Sequence, residues 1–136
     1  MSFTTDMVVR FAHVDAAAIV FYPRYFEMLN GAVEDWFAAM GCDFRRMHMT
    51  RRMGVPTVRL ESQFVAPSSL GDVLTISLSP QHLSTSSCAL DFTMTSGGRD
   101  RVRGAMTLVC MNLDLQKSMP WPDALRSALE AHLGAP

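Results

Sequence analysis

No apolar run in this 136-residue sequence approaches the roughly 20 residues that cross a bilayer. The opening MSFTTDMVVRF also lacks a basic segment followed by an unbroken apolar one. A cytoplasmic protein without a membrane span is expected. Cysteine is scarce, and Cys42, Cys88 and Cys110 are odd in number and far apart, which excludes a disulfide framework; they read as reduced, buried structural thiols. No C-x-x-C or H-x-x-x-H spacing offers a metal site. An excess of either charge is missing too, with 12 basic against 13 acidic residues and a net charge of −1, so nothing suggests nucleic acid as a partner. There is no G-x-S-x-G nucleophile elbow, and no Gly-rich fingerprint follows a strand-like segment, which removes the α/β-hydrolase and nucleotide-binding readings.

What is present is a chain that is 49% apolar, long enough for one core and one domain spanning residues 1–136. In FTTDMVVRF, Phe3, Thr5, Met7, Val9 and Phe11 fall on one side of an extended segment, the period of a first strand. From Tyr22 the period changes. Tyr25, Leu29, Ala32, Val33, Trp36 and Met40 recur at helical intervals, Phe26 and Phe37 widen the stripe, and Arg24, Glu27, Asn30 and Glu34 lie opposite. Pro23 suits the first helical position and Gly41 the left-handed C-terminal cap. Gly31, costly inside a helix, marks a place where the sheet comes close.

After the basic connector CDFRRMHMTRRMG, in which Met47, Met49 and Met53 are expected to pack beneath the chain, four extended segments follow. Val58, Leu60 and Phe64 alternate in the first of these, Leu74, Ile76 and Leu78 in the second, and Cys88, Leu90, Phe92 and Met94 in the third, each predicting a face laid on a core. SGGRD joins the third to the fourth as a hairpin turn. The fourth, VRGAMTLVCMNL, is apolar on both faces beyond Ala105 and is expected to be central and covered on both sides. Pro122 and Asp123 open a short helix with Leu125, Leu129 and Leu133 aligned and Gly134 ending it. Strand, long helix, four strands and short helix cannot make a doubly wound sheet, which needs a helix between successive parallel strands. The fold class is α+β, an antiparallel sheet curled round one long helix.

One residue sits oddly in this scheme: Asp15 is a lone carboxylate in RFAHVDAAAIVFYPRYFEML. The segment RFAHVDAAAIVFYPRYFEMLNGAVEDWF resembles the signature of hotdog-fold acyl-coenzyme A thioesterases of the 4-hydroxybenzoyl-CoA thioesterase type. GVPTVRLESQFVAPSSLGDVLTI and PDALRSAL extend the resemblance over nearly the whole chain. It implies a hotdog fold, a five-stranded antiparallel sheet wrapped round the central helix, protomers paired edge to edge as homodimers, and often homotetramers. It implies no cofactor, coenzyme A being part of the substrate. The catalytic residues it implies are Asp15, as nucleophile or as general base for water, and Tyr22, whose backbone N–H would hold the oxyanion at the helix start. His13, Phe21, Tyr25, Met28 and Leu29 are the implied substrate-binding residues, for an aromatic or a medium-chain acyl group.

Two positions depart from the family pattern: Ala16 replaces the proline that commonly follows the aspartate, and Ala18 replaces a glycine. If that glycine serves a positive φ, alanine strains the loop. The basic residues that family members often carry before the fourth strand are replaced by HLSTSSC, leaving Arg45, Arg46, Arg51 and Arg52, or Arg99, Arg101 and Arg103, to meet the coenzyme A phosphates. The same connector suits an acidic acyl carrier protein as the alternative carrier. A hydratase on this fold, or a non-catalytic acyl-thioester-binding protein, are the competing readings; release of free thiol separates the thioesterase from both.

Overall fold

The structure, a computed structural model, describes residues 2–133. Its main sheet has five antiparallel strands in the order β1-β4-β5-β6-β3: β1 Phe3–Val8, β3 Thr57–Phe64, β4 Val73–Leu83, β5 Ser87–Ser96 and β6 Arg99–Val109. Helix α1, Pro23–Ala39, lies across the concave face against β1 and β4, and α2, Asp123–His132, packs on β4. A second small sheet joins β2 Met53–Gly54, β7 Met111–Asn112 and β8 Lys117–Ser118; strands this short leave no alternation to read. Among the described residues, no helix is long and apolar enough to cross a membrane.

The helix forms as its period demands. Pro23 opens it, where a missing N–H costs nothing, and Gly41 caps the C-terminal turn at φ +82°. Tyr25, Leu29, Ala32, Val33, Trp36 and Phe37 are buried against Leu74, Ile76 and Leu78 of β4 and Leu90, Phe92 and Met94 of β5. Gly31 has the predicted role, since a Cβ there would stand 3.0 Å from the Met7 Cε. The β5–β6 hairpin turns through Gly97 and Gly98, both at positive φ. Cys42, Cys88 and Cys110 are buried, and burial pushes the Cys88 and Cys110 thiols up to about 11.

Several expectations fail for identifiable reasons. Phe11 leaves the core face and is 83% exposed, because the chain turns through a 3-10 turn at Phe11–His13 once β1 has ended. Met49 points outward from the π-helical turn Arg46–Thr50, although Met47 and Met53 pack inside. β6 is flanked by β5 and β3, but its outer face, with Ala105, Thr107 and Val109, is only half-buried because no layer covers it. Leu133 is half-buried beyond the end of α2, and Gly134 lies outside the described residues. The largest difference is at β3. Its apolar residues Val58, Leu60 and Phe64 are 59%, 40% and 49% exposed, because β3 is an edge strand reaching past the helix, so its inner face overhangs a groove instead of a filled core.

Candidate active site

Asp15 sits in a short hairpin between β1 and α1. Val14 and Val20 form an antiparallel bridge, the Asp15 N–H donates to the Ile19 carbonyl at 3.1 Å, and the Phe21 N–H donates to the His13 carbonyl at 3.0 Å. The three alanines make the turn, and Ala18 takes φ +60°, the left-handed conformation for which a glycine would be the natural choice. Asp15 Oδ1 accepts the Ala17 N–H at 2.9 Å, an Asx turn that orients the carboxylate and leaves Oδ2 without a partner among the described residues. The group is exposed and offers a free oxygen lone pair.

The hairpin delivers the chain directly into α1. The Arg24 N–H donates to the Phe21 carbonyl at 2.8 Å and the Tyr25 N–H to the Tyr22 carbonyl at 3.2 Å, while Pro23 has no N–H. The Tyr22 N–H donates to no acceptor among the described residues. It is thus an unpaired donor at the positive end of a 17-residue helix, where developing negative charge is favoured.

A second loop, residues 65–72, holds this hairpin in place. The Ser68 carbonyl accepts the Val20 N–H at 2.9 Å, and the Leu70 N–H donates to the Ala18 carbonyl at 3.1 Å. The fully buried Ser68 Oγ accepts the Tyr25 hydroxyl at 2.9 Å, tying the same loop to α1. Arg101 anchors its other end, with Nη1 donating to Asp72 Oδ2 at 2.8 Å and to the Pro67 carbonyl at 3.0 Å. The Ser69 N–H, first, and the Arg101 guanidinium, second, hold the Asp72 carboxyl below its ordinary range. Of these anchors, Tyr25 and Arg101 were singled out from the sequence, for other roles, and Ser68 and Asp72 were not. Ser68 carries no pattern that distinguishes it from Ser69, and Arg101 read as a phosphate-binding candidate although its side chain is committed to Asp72.

The predicted site residues fall in different surroundings. Asp15 and Tyr22 share the hairpin and its exit. Tyr25 and Leu29 are buried but line open cavities at the α1 flank, Tyr25 through its ring since its hydroxyl is taken. Met28 is 3% exposed, packed in the core, and lines neither cavity. Phe21 is exposed and stacks edge-on against Tyr22 with ring centres 5.6 Å apart. His13 Nδ1 accepts the Arg10 N–H at 2.8 Å, which engages one ring nitrogen in the local turn. The residue missed as a site element is Phe64, whose ring lies 6.0 Å from Tyr22, 6.0 Å from Tyr25 and 6.1 Å from Phe26. Together with Ile19, Val20 and Pro67, Phe64 and the two tyrosines border a cavity of about 300 Å³. Its exposed aromatic position at a strand end was the available signal.

The arginines divide as well. Arg52 pairs with Asp114, Arg101 with Asp72 and Arg103 with Asp100. Arg45, Arg46, Arg51 and Arg99 make no ion pair among the described residues.

Comparison with known proteins places this geometry. The chain is 33% identical over 124 residues to a 1,4-dihydroxy-2-naphthoyl-CoA hydrolase of Thermosynechococcus vestitus, covering 90% of this chain and 85% of that one. A solved thioesterase-superfamily structure from Jannaschia sp. CCS1 superposes with a TM-score of 0.90 at 27% identity, over 98% of this chain and 94% of that one. A gentisyl-coenzyme A thioesterase superposes with a TM-score of 0.83, also at 27% identity, over 91% of this chain and 99% of that one. The family model described as the thioesterase-like superfamily matches residues 9–129, and the chain, with its antiparallel sheet around one long helix, belongs to that hotdog-fold family.

Proposed function

We propose that the protein is an acyl-CoA thioesterase acting on an aromatic acyl group, releasing free acid and coenzyme A. The observation that carries this reading is the pairing, in one hairpin, of a carboxylate with a free oxygen and an unpaired N–H at a helix start. The thioester carbonyl oxygen is received by the Tyr22 N–H, which stabilises the charge that develops as the carbonyl carbon becomes tetrahedral. Asp15 Oδ2 attacks that carbon and expels the thiolate to form an anhydride, which water then hydrolyses to the free acid and the restored carboxylate, or Asp15 takes a proton from a water that attacks the carbon and expels the thiolate directly; the thiolate is a good leaving group that needs no strong acid. The rings of Tyr22, Tyr25 and Phe64 favour a flat aromatic acyl group over an alkyl chain. The names of the similar enzymes, acting on dihydroxynaphthoyl and gentisyl thioesters, support the same class. Arg45, Arg46, Arg51 and Arg99, which make no ion pair among the described residues, are the candidates to meet the phosphates.

The unit that works is a homodimer. β3 is an eight-residue edge strand with exposed apolar side chains and no proline or lysine to discourage pairing, and an antiparallel second copy of itself satisfies both its backbone and its side chains.

The test is release of free thiol from aromatic and aliphatic acyl-CoAs by wild type and Asp15→Asn, both checked for folding. Turnover of the aromatic thioesters, reduced by at least a thousandfold in a folded Asp15→Asn, is expected. Equal turnover in the mutant refutes the role of Asp15. No turnover of any acyl-CoA by wild type, with hydrolysis of acyl-carrier-protein thioesters or with binding alone, replaces the reading.

A further inference from the structure

The near-balance of charge over the whole chain conceals an uneven surface. The net charge is −1, yet the connector 43–52 and the β7–β8 turn with Lys117, residues 113–117, carry five basic side chains against two acidic ones. Both acidic groups are engaged: Asp114 Oδ1 accepts from Arg52 Nε at 3.0 Å, and Asp43 Oδ1 accepts the Arg46 backbone N–H at 2.9 Å. Arg45, Arg46, Arg51 and Lys117 are exposed and make no ion pair among the described residues.

Two apolar side chains stand out of this positive surface. Met49, in the π-helical turn, is 72% exposed, and Leu115, in the β7–β8 turn, is 68% exposed. One residue joins the two turns. Arg52 donates from Nη1 to the His48 carbonyl, beside Met49, at 3.4 Å and from Nε to Asp114, beside Leu115, and its own carbonyl accepts the Leu113 N–H at 2.9 Å. The tips are therefore neighbours on one corner of the molecule. Arg52 and Gln116 both hold φ +52°, a left-handed conformation that is costly for a residue with a side chain and persists only where the surrounding contacts enforce it. Neither tip lines the cavities at the α1 flank or belongs to β3, so neither has a part in the site or the dimer described above.

We propose that this corner docks the protein on an anionic lipid bilayer, with Met49 and Leu115 entering the boundary between headgroups and acyl chains and Arg45, Arg46, Arg51 and Lys117 meeting lipid phosphates. Charge complementarity selects an anionic partner. The shape selects a bilayer among anionic partners. Two separate projecting side chains enter a fluid layer without a shaped pocket, whereas a protein partner of ordinary interface size needs about 800 Å² of matched surface. Nucleic acid offers phosphates to the arginines but no apolar layer to the tips. The long arginine and lysine stems lie along the apolar layer while their heads stay among the phosphates. The docking does not rest on the thioesterase reading; joined to it, it places release of an aromatic acid at a lipid surface. Insertion of the tips also separates it from coenzyme A binding by the same arginines, which needs no apolar contact.

The experiment reads co-sedimentation of the full chain with vesicles of phosphatidylcholine containing about 30% phosphatidylglycerol, against vesicles of phosphatidylcholine alone. Wild type is expected to partition at least about tenfold more strongly onto the anionic vesicles, and to lose that preference at about 0.5 M salt. Met49→Ser/Leu115→Ser is expected to weaken the partition at least about tenfold, while its melting temperature and its release of thiol from a soluble aromatic acyl-CoA stay as in wild type. Lys117→Gln is expected to weaken it about fivefold, the worth of one basic side chain near an anionic surface. Met49→Trp reads insertion directly, since Trp36 and Trp121 are buried and the new indole alone is expected to shift its emission to the blue on anionic vesicles. Wild type that stays in the supernatant, or that binds neutral vesicles equally, overturns the proposal. So does a serine variant that binds like wild type, or an unshifted emission from Met49→Trp. Binding to heparin or to an acidic carrier protein without binding to vesicles gives the surface to another class of partner and overturns it as well.

Discussion

Replacing Tyr25 by phenylalanine removes one oxygen atom at a place where the Asp15 hairpin, the 65–72 loop and α1 are joined. Tyr25 is 4% and Ser68 0% exposed, so no bulk water replaces the lost hydroxyl, and the Ser68 Oγ loses the hydrogen bond it accepted at 2.9 Å. A buried polar group left unsatisfied costs about 1–3 kcal/mol, and the reciprocal change Ser68→Ala strands the tyrosine hydroxyl at a similar cost. The double variant Tyr25→Phe/Ser68→Ala strands neither. Its loss is expected to fall below the sum of the single losses by about 1 kcal/mol or more. Urea unfolding of all four proteins at one protein concentration reads this coupling directly. At this chain length, each 1 kcal/mol also corresponds to roughly 4 °C in Tm. Because the Ser68 carbonyl holds the Val20 N–H inside the hairpin, kcat is expected to fall in both single variants and to recover in part in the double one. Additive losses, within about 0.3 kcal/mol, would show that the two hydroxyls do not sense each other and would refute the locking role.

Two further outcomes follow from the same region. Ala18 holds φ +60°, so Ala18→Gly relieves left-handed strain that exceeds the added freedom of the unfolded chain; a gain of up to about 1 kcal/mol in urea unfolding is expected, and a loss contradicts the strain argument. Asp72 has a carboxyl pKa lowered by the Ser69 N–H and Arg101, so it binds its proton more readily in the unfolded chain. Its contribution to stability is therefore complete above the unfolded pKa of about 3.9 and lost as pH falls through the folded value. The stability difference between wild type and Asp72→Asn is expected to be constant near neutral pH and to shrink below about pH 4, and a difference that grows on acidification contradicts it.

Local periodicity made much of this fold legible. α1 was readable because its stripe, its proline start and its glycine stop all agree, and β4 and β5 because their buried faces alternate without interruption. β2, β7 and β8 were not, since two-residue strands carry no period. Phe11 and Met49 departed from their expected burial for a common reason. An apolar residue has a pattern in sequence, but whether it meets core, solvent or ligand depends on where its element ends in space.

The sequence by itself determined the fold class, from the order of its elements, and the family resemblance, which named Asp15 and Tyr22 as candidates from one short segment. Only the tertiary structure decided that Asp15 keeps one oxygen free and that the Tyr22 N–H is unpaired. It alone assigned Arg101 to a structural ion pair and left the apolar face of β3 open. These are matters of which partners reach a given atom, and those partners lie tens of residues away along the chain.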